Sequence, residues 1–147
     1  MEGISIFMSH KTILQTSMDN LSTVKEALLF LGIEYKENTT VRMWSQRDNT
    51  NSNIVIPQTH YDIGILNKNN KISVIGDSMA FPIIFQTPSL KKYKAKTPNN
   101  VEKFTGILNQ AYNIVKAREK ALELGHQMSI SAPDENNTIH AQILIGE

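Results

Sequence analysis

Cysteine is absent from this 147-residue chain, which excludes disulfides, thiolate nucleophiles and Cys-based zinc sites and leaves the redox compartment open. An excess of one charge is missing too. Fifteen Lys and Arg stand against fourteen Asp and Glu, a formal net charge of +1. Such a balance gives no general drive toward long nucleic acid or an anionic membrane, so any polyanion must be held by a local patch. No apolar run approaches the ~18 residues that span a bilayer. The start, MEGISIFMSHKT, has no basic head and too short an apolar part for a signal peptide. The expectation is therefore a cytoplasmic protein without a membrane segment.

Catalytic signatures are equally scarce. The four histidines (10, 60, 126, 140) are scattered with no His-x-x-x-His spacing, so no metal site is expected. IGDSMA, residues 75–80, lacks the second Gly and the Lys of a phosphate loop, and no Ser or Cys nucleophile motif accompanies any histidine. No catalytic residue and no cofactor are assigned, and the chain is read as a non-enzyme.

What is present is an ordinary globular composition, 40% hydrophobic and 20% charged, with no linker or repeat. One domain over residues 1–147 is expected. A first strand is read near residues 9–16. A helix follows, capped by Asp19 or Asn20, with Leu21, Val24, Leu28 and Leu31 at 3-4-3 spacing and Gly32 as its left-handed stop. EYKENTTVRMW and NIVIP read as two strands around a polar loop, SQRDNTNSN. THYDIGILNKNNKISVIGDS (59–78) reads as a hairpin. A four-residue turn at 67–70 places Ile65 against Ile72, Ile63 against Val74 and, at the open end, His60 against Asp77. Pro82, Pro88 and Pro98 forbid a long helix over 79–98, where IIF adds at most a short strand in an irregular excursion.

Residues 99–124 carry the strongest helical pattern. Asn99 and Glu102 suit a capping box, and Val101, Phe104, Leu108, Ala111, Val115 and Leu122 form a stripe broken by Arg118 and widened by Ile107, Ile114 and Ala121. So broad an arc points to burial on several sides, hence to a homo-oligomer built on the 101–124 helix. A terminal hairpin turns at PDENN. The fold class is α+β, an antiparallel β-sheet covered by two amphipathic helices, in the order β-α-β-β-β-β-(irregular)-α-β-β.

MSHKTILQT, LSTVKEALLFLGI, YDIGI, ISVIGD and VEKFTGILNQAYNIVKAREKALELGH, spread over residues 8–145, resemble the hypothetical chloroplast reading frame thirty-five family. This is a domain of unknown function shared by plastids, cyanobacteria and bacteriophages. The resemblance implies an α+β fold and brings no catalytic residues and no reaction. It also implies a start at Met8-Ser9-His10, which makes residues 1–7 an extension or an upstream start; residues 79–98 depart from the pattern.

The candidate ligand residues are cations beside aromatics. LKKYKAK sets Lys91 and Lys92 next to Tyr93, with Lys94 and Lys96 following, a run that suits phosphate binding and base stacking or is a solvated loop. VRMWSQR offers Arg42, Trp44 and Arg47 as a second gripping edge, unless the only Trp is a core anchor. Tyr112 and Arg118 lie on neighbouring turns of the long helix. Arg118, interrupting an apolar stripe, needs an anionic partner: Asp62, Asp77, another carboxylate or a ligand phosphate. Three functions follow. The favoured one is a non-enzymatic phage protein that binds and sequesters a nucleotide immune signal, a cyclic dinucleotide sponge. The alternatives are an interaction protein that modifies a host complex through its helix face, and a hydrolase using His60 and Asp77.

Overall fold

The computed structural model describes residues 11–145. Residues 1–7, expected to be an extension, lie outside the described residues. The elements run β1 (Lys11–Gln15), α1 (Leu21–Leu31), β2 (Lys36–Val41), β3 (Thr50–Pro57), β4 (Asp62–Lys68), β5 (Lys71–Asp77), α2 (Ala80–Ile84), α3 (Val101–Glu123), β6 (Gln127–Ile130) and β7 (Ala141–Leu144). Strands β1 to β5 form one antiparallel sheet in the order β1-β5-β4-β3-β2, while β6 and β7 form a separate two-stranded sheet. The α+β class and the element order agree with the sequence reading. The IIF segment differs: Ala80–Ile84 is a short helix. Pro82, its third residue, lacks only an N–H that a helix's first turn leaves unbonded. The polar loop is also shorter than its composition suggests, because β3 begins at Thr50.

Helix ends follow local chemistry. Asn20 Oδ1 accepts the Thr23 N–H at 3.0 Å, and Gly32 closes α1 at φ +75°. The cap of α3 is Asn100 rather than Asn99, its Oδ1 accepting the Lys103 N–H at 3.0 Å. Val24, Ala27, Leu28 and Leu31 of α1 and Phe104, Leu108, Ala111 and Val115 of α3 bury against Ile54, Ile56, Ile63, Ile65, Ile72 and Val74 of the sheet. Most of the broad arc of α3 is thus covered within one chain.

The β4–β5 hairpin corrects the expected pairing. Its turn is two residues long, Asn69 at φ +53° and Asn70 at φ +62°, left-handed values that asparagine tolerates and that match the strand twist. Ile63 therefore faces Gly76 and Ile65 faces Val74. The shift is even, so the isoleucines keep the expected face. Carried one step further, the register sets Asp62, and not His60, across from Asp77. His60 is exposed, edge-on to the Tyr61 ring.

The sheet's second face has a small core of its own, made by Val41, Met43, Val55 and Ile75. The chain after β2 folds over it. Two buried carboxylates hold that chain in place: Asp62 Oδ2 accepts the Arg42 N–H and Asp77 Oδ2 accepts the Trp44 N–H, both at 2.8 Å. Lys11 Nζ on β1 reaches Thr50 Oγ1 on β3 at 3.1 Å, joining two non-adjacent strands of the curled sheet.

Candidate functional site

The residues expected to grip a ligand occupy different places. Arg42 is committed internally: its Nε and Nη2 donate to Asp62 at 2.9 and 2.8 Å, and Nη2 also donates to the Gln58 carbonyl at 2.7 Å. The Trp44 ring is 68% exposed, so it is no core anchor. Arg47, also exposed, lies three residues on in a 3-10 turn, Gln46–Asp48, where its Nε donates to Ser45 Oγ. The Tyr112 phenol donates to Asp19 Oδ1 at 3.0 Å and accepts the Asn20 N–H at 3.2 Å, tying α3 to the start of α1.

Arg118 corrects the expectation of a carboxylate partner. Its guanidinium lies 5.8 Å from the centroid of the Phe30 ring. A weakly hydrated planar cation stacked on an aromatic face can interrupt an apolar stripe without an anion. Asp62 and Asp77, its expected partners, serve Arg42 and the backbone instead.

The lysine-rich segment lines a cleft. Tyr93 is buried in the main core. Two residues on, Ala95 is pinned from both sides: its N–H donates to Asn137 Oδ1 at 2.9 Å, and its carbonyl accepts from Lys103 Nζ at 3.0 Å. Lys103 Nζ also donates to Asn99 Oδ1 at 2.7 Å and sits 4.8 Å over the Phe85 ring. Partial burial there pushes the ammonium's pKa down. With Tyr93 turned inward and Ala95 fixed, the residues between and beside them, Lys92, Lys94 and Lys96, line one cleft of about 570 Å³. Lys91 is exposed and does not line it.

The opposite wall is Ala132, Pro133, Asp134 and Glu135 of the loop between β6 and β7. The Asp134 carboxylate is already satisfied. Its Oδ2 lies 2.9 Å from His140 Nε2, and its Oδ1 accepts the Asn136 and Thr138 N–H groups at 2.8 and 3.0 Å. The histidine first, then the two amides, hold this carboxyl below the usual aspartate range. Among the described residues, Lys92, Lys94 and Lys96 have no carboxylate partner within ion-pair distance. The lining thus carries three lysines against two carboxylates, Asp134 and Glu135, and the Lys92 ammonium lies 5.9 Å from the Tyr93 ring centroid.

Sequence reasoning missed the residues that build this cleft. Asn137, at φ +63°, reads as a turn residue; Gln110, which accepts the Ile139 N–H and donates to the Asn137 carbonyl, reads as solvated helix. Asparagine's tolerance of the left-handed region is the one signal that marked Asn137. A second cleft, about 550 Å³, lies at the C-terminal end of α1 and includes Ile33, Tyr35, Pro57 and Pro88. It holds one Glu and one Lys and none of the expected ligand residues.

Tyr93 carries a cost that can be measured. Its hydroxyl is buried without a hydrogen-bond partner, and burial pushes its pKa up to about 12. The unfolded phenol ionises near 10, so stability falls as pH rises between those values. In an alkaline absorbance titration one of the four tyrosines is expected to ionise last, and Tyr93→Phe to remove that step. The same substitution should raise the unfolding free energy by about 1 kcal/mol, since it deletes an unsatisfied buried donor.

The architecture defines an α+β protein in which two helices cover one face of a five-stranded antiparallel sheet and a basic segment faces a terminal hairpin. The chain belongs to a family of proteins of unknown function, DUF1257, whose profile matches residues 27–141. No curated protein and no solved structure shows a significant match to it. Among the described residues no helix is long and apolar enough to cross a membrane.

Proposed function

We propose that the protein binds a small anionic nucleotide and sequesters it without turning it over. The observation that supports this reading is that Lys92, Lys94 and Lys96 line one cleft and none of them lies within ion-pair distance of a described carboxylate, Asp134 and Glu135 across the cleft included. Phosphates meet these ammonium groups, and Pro133 and Ala132 offer an apolar wall for the body of the ligand. His60 and Asp77 are not opposed in the hairpin register, so the hydrolase reading lacks the pair that motivated it. The phage branch of the family resemblance makes a cyclic dinucleotide, a host alarm signal, the specific ligand of this proposal, with the host cytoplasm as its setting.

The test is thermal unfolding against mono-, di- and cyclic nucleotides. A ligand at ~100 times its Kd adds about 2.7 kcal/mol of stability. A selective shift is expected, with the nucleotide recovered intact. The triple substitution of Lys92, Lys94 and Lys96 by Ala should weaken binding by about tenfold or more, because each charge-assisted contact is worth ~1.5–3 kcal/mol when fully made. No shift across the panel, or a shift that survives the triple substitution, overturns the proposal. A second reading, an interaction protein, is favoured by the exposed Leu122 and Leu124 at the end of α3; stoichiometric nucleotide binding decides against it.

A further inference from the structure

Among the described residues β7 offers the most exposed of the uncharged strand edges; β6, Gln-Met-Ser-Ile, is uncharged too, but its Met128 and Ile130 are half-buried. An unpaired strand edge is a template for pairing with another chain, and proteins blunt it with charge, proline or a kink. The outer strand β1 carries Lys11, and β2 carries Lys36 and Glu37 with a kink at Asn38, φ +51°. Strand β7 reads Ala-Gln-Ile-Leu, with no charge and no proline. All four residues are exposed, and β6 is the only strand paired with it among the described residues.

Five of the nine large hydrophobic residues that are exposed among the described residues lie in the same stretch of chain, 122–145. Leu122 and Leu124 close α3, and three residues later β6 starts at Gln127, which pairs with Leu144. Leu122, Leu124, Ile143, Leu144 and Ile145 are between 46 and 75% exposed. Along the strand Ile143 points to one face of the hairpin and Leu144 to the other, so a strand added at this edge meets apolar side chains on both faces. A two-stranded sheet is itself marginal in water and gains from further strands.

We infer that this edge is covered by a second copy of the chain, β7 pairing antiparallel with its own equivalent about a two-fold axis at Gln142. The register permits that axis. The Ser131 N–H donates to the His140 carbonyl at 2.9 Å, so alternation gives residues 140, 142 and 144 to β6 and turns the N–H and C=O of Ala141 and Ile143 outward. Outward groups of one strand pair with outward groups of the other, Ala141 with Ile143, and Gln142 meets itself in a close, non-hydrogen-bonded position. The two hairpins become one four-stranded sheet, and the apolar ends of both copies lie side by side. A self-complementary neutral edge suits such an isologous contact.

Sedimentation velocity of the full chain over a micromolar concentration series tests this. A dimer is expected. Ile143→Pro deletes only an outward N–H, a position that proline tolerates on an edge strand, so it should give a monomer with an unchanged far-UV circular dichroism spectrum. The chain has no cysteine, so Gln142→Cys adds a single thiol. Mild oxidation should convert that variant to a covalent dimer, and should fail to do so when Ile143→Pro is also present. A wild-type chain that stays monomeric, a dimer that survives Ile143→Pro, or a Gln142→Cys variant that does not cross-link overturns the assignment.

Discussion

Arg42→Ala is expected to lower the unfolding free energy by about 2–3 kcal/mol, because it strands a buried carboxylate. The Asp62 side chain is 4% exposed and faces the Arg42 guanidinium at 2.8 Å. Without that cation Asp62 keeps only the backbone N–H of residue 42, at 2.8 Å, against the cost of desolvating its charge. Breaking a fully buried pair costs about 3–5 kcal/mol; the smaller figure reflects an arginine side chain that is 48% exposed. Urea denaturation measures the loss. Asp62→Asn added to Arg42→Ala should cost less than the two changes summed, since each removes the other's reason for being costly. A spare, ligand-seeking Arg42 would instead leave stability within about 0.5 kcal/mol of wild type.

Gly64→Ala is the second large effect, about 2–3 kcal/mol of destabilisation from overpacking. A Cβ at this position would stand deep inside van der Waals contact with Val41 Cγ2, 3.0 Å from Ser52 Oγ and 3.3 Å from Ile75 Cγ1. Val41 and Ile75 belong to the small core on the sheet's second face, whose covering chain is held by Asp62 and Asp77. Neither neighbour can retreat without loosening that anchorage. Gly106, in the second turn of α3, has nothing within 4 Å of the same added atom. Gly106→Ala should therefore stabilise the protein, by up to ~1 kcal/mol from helix propensity. Chemical denaturation of the two variants side by side reads opposite signs from one substitution type.

The cost of Gly64→Ala and the role of Arg42 share an origin that was not legible in the chain. Local rules placed the helices well. Apolar residues at 3-4 spacing fix which face of α1 and α3 is buried, and asparagine caps and left-handed glycines fix where they stop, because those preferences act within a turn or two of chain. The even slip in the β4–β5 register arose because Asn69-Asn70 can close a hairpin in two residues as well as lie within a longer loop, and both options bury the same isoleucines. Composition alone could not choose between them.

Partner choice among polar groups was the part decided by tertiary structure. The sequence by itself determined an α+β chain with its seven strands and two long helices in this order, though not the short helix Ala80–Ile84, together with the apolar face of each long helix and a lysine run between prolines. Only the fold decided that Asp62 takes Arg42, that Arg118 rests on Phe30, and that Lys92, Lys94 and Lys96 share a cleft while Tyr93 turns inward. A hydrophobic period is summed over many residues and survives local exceptions. A salt bridge or a cleft needs two or three particular atoms, brought from distant parts of the chain to within a few ångströms, and no local pattern encodes that meeting.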